Sequence, residues 1–333
     1  MSAPGRETSA GIHQVDTAGS AGPQARAGRA AGSPVPGGAR GPAAGVGGAT
    51  AIGVPDPEDL YRVVETALTE DLRYGPDATT AATVPADAVA VGEFAARRPG
   101  VLAGVPVARA VLDRVLGDYE VLAQRGDGDR LVPGDVALAV RAPVRGLLTA
   151  ERTALNLLCH LSGVATATRA WVDAVAGTDA RIRDTRKTLP GLRLLEKYAV
   201  RCGGGMNHRL GLGDAVLIKD NHVAAAGSVG AALAAARAAA PDLPCEVEVD
   251  SLHQLDEVLA LDAELVLLDN FTAEQTAEAV RRRGSSPTLL ESSGGLTLLD
   301  ARAYAETGVD FISVGALTHS VVALDLGLDL RGS

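Results

Sequence analysis

The feature that most constrains this chain is a rhythm in its second half, where short β-prone runs alternate with helical stretches at intervals of roughly 20 to 30 residues. The candidate strands are residues 181–185 (RIRDT), 214–219 (DAVLIK), 245–249 (CEVEV), 263–269 (AELVLLD), 287–292 (PTLLES) and 309–314 (VDFISV). Helices between them begin near Leu192, Ser228, Leu252, Thr272 and Thr297. Connections of that length join parallel strands, since an antiparallel pair needs only a hairpin. The rhythm therefore predicts an α/β fold, either an open doubly wound sheet or a parallel β/α barrel. The charges favour the barrel. Arg186 and Lys187 follow the first strand, Lys219 the second, then come Glu248 with Asp250, Asp269, the Ser-Ser-Gly-Gly turn at 292–295, and Gly315. The C-terminal strand ends of a parallel barrel form its active face. Desolvating charges there is costly unless they meet partners. One such residue reads as an ordinary loop charge; recurrence at successive strand ends does not.

The first half reads differently. Asp56 and Pro57 open a helix with Leu60, Val63, Val64, Ala67 and Leu68 at helical spacing. Residues 89–144 carry short β-prone runs separated by Arg98-Pro99-Gly100 and Val132-Pro133-Gly134-Asp135, with one helix over 105–116. A long apolar helix then starts near Thr149. The expected organisation is an α+β domain over 55–148, a barrel over 149–320, and a C-terminal segment over 321–333 that packs back on the first domain. Before Pro55 stand a third of the 39 glycines, among Ala, Pro, Ser and Thr, with four Arg against Glu7 and Asp16. Such a segment lacks the apolar surface to offset its ordering entropy, so residues 1–54 read as a disordered tail, either dispensable or the product of a start codon placed too far upstream.

Composition narrows the function. A net charge of −10 argues against a nucleic-acid surface, and no apolar run reaches the roughly 18 residues of a membrane span. There is no secretory h-region, and three cysteines without a C-x-x-C pair point to neither a disulfide framework nor a zinc site. A cytoplasmic protein is expected. Cys159, Cys202 and Cys245 read as core thiols and His160 as a packing residue, whereas His222 and His319, near active-face loops, stay open as ligand contacts.

Against that acidic background, Arg152, Arg186, Lys187, His208, Arg209 and Lys219 form a basic set suited to a multiply anionic ligand. Arg152 falls in the expected first turn of its helix, where the macrodipole disfavours cations, which suggests that it binds something. The turns SSGGLT and VGALT each follow a late strand and open a helix, as phosphate sites do. Glu248 and Asp269 suit sugar hydroxyls, a divalent metal or developing positive charge. A Schiff-base aldolase using Lys187 or Lys219 and a non-catalytic ligand-binding protein of the same fold remain alternatives.

The stretch DTRKTLPGLRLLEKYAVRCGGGMNHRLGLGDAVLIKDNH, from Asp184 to His222, resembles the signature of the quinolinate phosphoribosyltransferase family. EDLRYGPDATT, ERTALNLLCHLSGVAT, EVEVDS, LVLLDNF, LESSGGL and SVGALTHS extend the resemblance from about Asp56 to the C-terminus. It implies an N-terminal open-faced α+β sandwich, an incomplete TIM-like β/α barrel, and a homodimer whose active sites are shared. It also implies transfer of the phosphoribosyl group of 5-phosphoribosyl-1-pyrophosphate to quinolinate, with Mg²⁺. Arg152 would reach across the dimer, Arg186, His208 and Arg209 would grip the two carboxylates, and Thr185, Lys187 and Lys219 would face the anionic substrates. Glu248 and Asp269 would lie near the ribose and its Mg²⁺, with Lys187, Lys219, Glu248 and Asp269 as the catalytic set. Ser293, Gly294, Gly295 and Gly315 would form the phosphate turns. Deleting residues 1–50 is expected to leave turnover unchanged in a steady-state assay; loss of activity would show that the segment takes part.

Overall fold

The computed structural model describes residues 52–332, so the tail expected over 1–54 falls outside the described residues except for positions 52–54. Contact begins ahead of Asp56: the Ile52 carbonyl accepts from Arg201 Nε at 3.2 Å, and its side chain packs on the first core.

Asp56 caps α1 (Pro57–Asp71), its carboxylate accepting the Asp59 N–H at 2.9 Å. Pro57 sits at the first turn, where its missing N–H costs nothing. Asp77 caps α2 (Ala78–Thr83) in the same way. Then follow β1 (Val89–Ala96), β2 (Gly100–Val101), α3 (Val105–Leu116), β3 (Glu120–Gln124), β4 (Arg130–Leu131) and β5 (Val136–Pro143). The antiparallel sheet β1–β5–β3 gains a fourth strand from the far end of the chain: β12 (Leu326–Gly332) pairs with β1, placing Leu328 opposite Phe94. Phe94, Leu138 and Val140 turn inward against α3 and the helix that follows β5.

That helix, α4 (Val144–Ala174), starts ahead of the expected Thr149. Pro143 stands at its N-cap, the Val144 N–H donates to Ala88 O, and Leu147 is already fully buried. Arg152 therefore lies well past the first turn, and the macrodipole argument for its role does not hold. The two apolar cores meet along α4. Residues through Ala165 belong to the first core, and from Trp171 onward to the second.

The second core surrounds a parallel sheet in the order β6-β11-β10-β9-β8-β7. In chain order its elements are β6 (Arg181–Arg183), α5 (Arg193–Cys202), β7 (Val216–Ile218), α6 (Asp220–Ala226), α7 (Val229–Ala239), β8 (Cys245–Val249), α8 (Leu252–Leu259), β9 (Leu265–Asp269), α9 (Ala273–Arg283), β10 (Leu289–Ser293), α10 (Ala301–Ala305), β11 (Phe311–Ser313) and α11 (Ala316–His319). β6 and β7 are the two edges, so this is an incomplete β/α barrel, with Met206 bridging beside Arg183 at one of them. Ser228, Ser251 and Thr272 cap α7, α8 and α9, each accepting an N–H three residues on. The helix expected at Thr297 is instead a turn, because the Thr297 hydroxyl bonds to Asp300 and α10 starts only afterwards. α5 is also unlike its sisters: Leu195, Tyr198 and Val200 pack into the first core rather than the barrel's. Among the described residues no helix is long and apolar enough to cross a membrane.

Gly163 marks where α4 meets the segment leading to β12. A Cβ at this position would lie 2.4 Å from Val322 O. Gly163→Ala must push backbone away from backbone, and is expected to cost about 1–3 kcal/mol in denaturant unfolding.

Candidate active site

Side chains on a strand alternate between faces, and the barrel strands divide cleanly. Ile182, Ile218, Val247, Val266, Leu290 and Ile312 face the helices. The opposite parity points into the barrel, and much of it is charged or polar: Arg183 on β6, Glu246 and Glu248 on β8, Asp269 on β9, Glu291 and Ser293 on β10, and Ser313 on β11. At the C-terminal mouth Glu248, Asp269, Glu291, Ser293 and Ser313 border a pocket of about 350 Å³, with Arg183 and Glu246 outside its lining.

Thr185, Arg186 and Lys187 enter the pocket from the segment after β6, His208 and Arg209 from the turn after α5, and Lys219 from the end of β7. Glu248, Asp269, Ser293 and Gly294 complete the residues anticipated from sequence. Three anticipated positions do not line it. Arg152 lies on α4, its side chain 65% exposed and 3.6 Å from Glu151. Gly295 is exposed in the turn beyond Gly294. Gly315 stands behind Lys187, and a Cβ there would come within 2.8 Å of the lysine Cδ. Leu217, Leu267, Glu291 and Ser313 also line the pocket and were missed. Their signal was parity, since each precedes a selected strand-end position by two residues: Lys219, Asp269, Ser293 and Gly315.

The turn carrying His208 and Arg209 is held by a buried ion pair. Lys197 on α5 donates to Asp184 at 2.5 Å and to the His208 carbonyl at 2.8 Å. Asp184 also accepts the His208 N–H at 2.7 Å and Asn207 Nδ2 at 2.6 Å. Burial pushes the Asp184 pKa up and the Lys197 pKa down, while their mutual attraction opposes both shifts.

His208 is not a free cation. Burial pushes its pKa down to about 4, leaving it neutral at pH 7. Its Nδ1 accepts the Arg209 N–H at 2.7 Å, so the ring proton is on Nε2, which lies 2.8 Å from Glu246 and 3.6 Å from Glu291. These three residues are spaced like metal ligands. A protonated Nε2 cannot ligate, and Arg183 already pairs with Glu291, so the cluster is a set of close polar contacts rather than a ligand set. Burial holds the Glu246 pKa up at about 7.

The cations left to grip a ligand are Arg186, Lys187 and Arg209. Arg186 Nε is buried without a hydrogen-bond partner. Burial, and then Arg186 itself, lower the Arg209 pKa, as expected of like charges gathered before an anion arrives. Lys219 instead pairs with Glu248. Opposite, Asp269 accepts from Asn270 at 2.7 Å. Gly294, at φ +98°, allows Asn270 to approach: a Cβ there would lie 2.2 Å from Asn270 Oδ1. The glycine turns lead to helices of only five and four residues, so backbone N–H groups, not helix dipoles, are what they offer phosphate. His222 caps α6 through the Lys219 N–H, His319 bonds Ser320, and His160 bonds Glu196. Cys202 and Cys245 are buried, Cys159 only half so. A larger cavity, about 690 Å³, lies between α1, α3 and α4. Its arginines already donate within the protein, Arg114 to Glu65 and Arg145 to Val84 O, and none of the site residues anticipated from sequence lines it.

Residues 77–162 match the family model for the quinolinate phosphoribosyl transferase N-terminal domain, and 164–329 that for its C-terminal domain. The chain belongs to the quinolinate phosphoribosyltransferase family. It is 66% identical over 271 residues to the nicotinate-nucleotide pyrophosphorylase [carboxylating] of Mycobacterium leprae, covering 80% of this chain and 95% of that protein. Against the probable enzyme of the same name from Bacillus subtilis the identity is 38%, covering 81% and 93%. The solved nicotinate-nucleotide pyrophosphorylase of Francisella tularensis superposes with a TM-score of 0.78 at 37% identity, covering 84% and 99%. In this quinolinate phosphoribosyltransferase, Lys197→Met would leave Asp184 buried and uncompensated. The expected loss is about 3–5 kcal/mol in denaturant unfolding, and it should shrink when Asp184→Asn is added.

Proposed function

We infer that the chain transfers the phosphoribosyl group of 5-phosphoribosyl-1-pyrophosphate to quinolinate with loss of CO₂. The products are nicotinate mononucleotide, pyrophosphate and CO₂, in NAD biosynthesis. One observation carries the reading at the level of the site: a wall of unneutralised cations, Arg186, Lys187 and Arg209, faces Glu248 and Asp269 across a single pocket. A dianionic acid fits the wall, and Leu217 and Leu267 offer apolar surface to its ring. His208 contributes as a neutral group that shapes the wall rather than as a third cation.

The chemistry follows from these charges. Breaking the C1–pyrophosphate bond develops positive charge on the ribose, which Glu248 and Asp269 stabilise electrostatically as the ring nitrogen bonds to C1. The ribosylated ring is cationic, so departure of the adjacent carboxylate as CO₂ leaves a carbanion that this charge stabilises and a proton then quenches. The backbone of Ser293 and Gly294, which line the pocket, is the part of the glycine turns offered to phosphate. Mg²⁺ suits two carboxylates when the substrate's phosphates supply the remaining oxygens, and Glu248 and Asp269 are such a pair, each lining the pocket. When bound, it would neutralise charge on the departing pyrophosphate. An aldolase reading finds no support: the Lys219 ammonium is held by Glu248 and Lys187 is exposed, whereas a Schiff-base amine needs desolvation.

The reading includes a cytoplasmic homodimer in which Arg152 completes the partner's pocket. Its support is that Arg152 is exposed, lies off its own pocket, and among the described residues has Glu151, at 3.6 Å, as its one ion-pair partner. Purified protein with quinolinate, phosphoribosyl pyrophosphate and Mg²⁺ should form nicotinate mononucleotide; turnover of nicotinate instead would overturn the assignment. Arg152→Ala and Lys219→Ala should each lose most activity while folded. Mixing them should restore roughly a quarter of wild-type activity, since half the exchanged dimers carry one intact site. No recovery would remove Arg152 from a shared site.

A further inference from the structure

The barrel interior holds two carboxylates that the proposed chemistry does not use, Glu246 and Glu291, and only the second is fully engaged. Glu246 lies on the same face of β8 as Glu248, one step deeper, and only 4% of it is exposed. Its Oε1 is buried with no hydrogen-bond partner, and its Oε2 lies 2.8 Å from His208 Nε2. A carboxylate buried this way is destabilising unless it meets a need elsewhere. Glu291, the other acid near the ring, is engaged by Arg183 and Ser313 and stands farther off, at 3.6 Å.

His208 has every other polar group engaged. Its N–H is bound by Asp184, its carbonyl by Lys197, and its Nδ1 by the Arg209 N–H. The last contact exists only while Nδ1 is unprotonated. A neutral imidazole carries its proton on either nitrogen, and the neighbour of one nitrogen decides which. With an acceptor beside Nε2, the proton stays there and the Nδ1 lone pair is left for Arg209. Without one, the proton can move to Nδ1, where two donors would face each other and the Arg209 backbone would have to shift.

We propose that Glu246 is a positioning residue for the carboxylate-binding wall: it holds His208 as the Nε2–H tautomer and thereby sets the backbone from which Arg209 reaches the pocket. The inference rests on the reading above that Arg209 meets the acid substrate. The carboxyl group acts through its acceptor oxygen, so a side-chain amide oxygen can replace it, whereas an alkyl group cannot.

Glu246→Leu and Glu246→Gln are compared with wild type by steady-state kinetics and by ¹⁵N NMR of histidine-labelled protein, which reports the ring tautomer directly. Glu246→Met is held as a second apolar variant in case the leucine does not fold. In the apolar variant, KM for quinolinate should rise about tenfold or more, the scale of one displaced hydrogen bond to a charged group. Both kcat and KM for phosphoribosyl pyrophosphate should stay within about twofold, and His208 should show Nδ1–H signal. Glu246→Gln should restore the single Nε2–H form and the wild-type KM. A single Nε2–H tautomer with an unchanged KM in a folded apolar variant overturns the proposal. Arg209→Ala separates the two readings: if it leaves KM for quinolinate unchanged, the assignment of Arg209 fails, and the tautomer measurement still decides the role of Glu246.

Discussion

Asp184 and Lys197 are withdrawn from water and face each other where β6 ends, and the pocket depends on that pair. Asp184 follows directly from β6, while Lys197 lies on α5, whose apolar side packs into the first core. The bond between them therefore ties barrel to sandwich, and the same two side chains anchor the backbone N–H and the carbonyl of His208. Neither charge is stable alone in such surroundings, and together they are held by the hydrogen bonds of Asn207 and His208. The Gly203-Gly204-Gly205 turn serves this arrangement. It lets the chain double back from α5 so that Met206 pairs beside β6 at the open edge of the barrel.

The same logic extends through the barrel. A parallel β/α barrel is ordinarily filled by bulky apolar side chains, but this one places Arg183, Glu246, Glu291 and Ser313 below its mouth. Arg183 binds Glu291 and lies over the Phe311 ring, and Ser313 donates to Glu291. Polar floor and cationic wall are consequences of one choice: anions are bound at a rim whose supporting layer is itself charged and partnered. Two atoms of that layer are buried without a hydrogen-bond partner, Arg183 Nε and Glu246 Oε1, and Glu246 is the one whose other oxygen lies against His208.

Much of this was legible in the strand–helix alternation and in the charges at strand ends. The strands that hold Val247, Val266 and Leu290 announce themselves as short β-prone runs separated by helical stretches. The positions of Lys219, Glu248 and Asp269 follow from strand ends alone. Glu246 and Glu291 were missed although they share parity with Glu248 and Ser293, because a charge in mid-strand reads as solvent-facing until the sheet is known to curl. The macrodipole argument for Arg152 fails, since Pro143 starts α4 earlier than the apolar pattern implied, and what remains for that residue is the resemblance. The helix expected at Thr297 failed for a local reason, a side-chain bond to Asp300 that competes with helix formation.

By itself the sequence determined the α/β class through its periodicity, the charged residues at the strand ends through short-range spacing, and the incomplete barrel and the family through its resemblance to the quinolinate phosphoribosyltransferases. Only the tertiary structure decided how those residues are charged and joined. That His208 is neutral, that Lys219 is paired while Arg186 is not, and that β12 completes the first sheet all depend on burial and on contacts between distant segments. Desolvation sets the protonation of a side chain, and it is a property of the packed neighbourhood that no local spacing records.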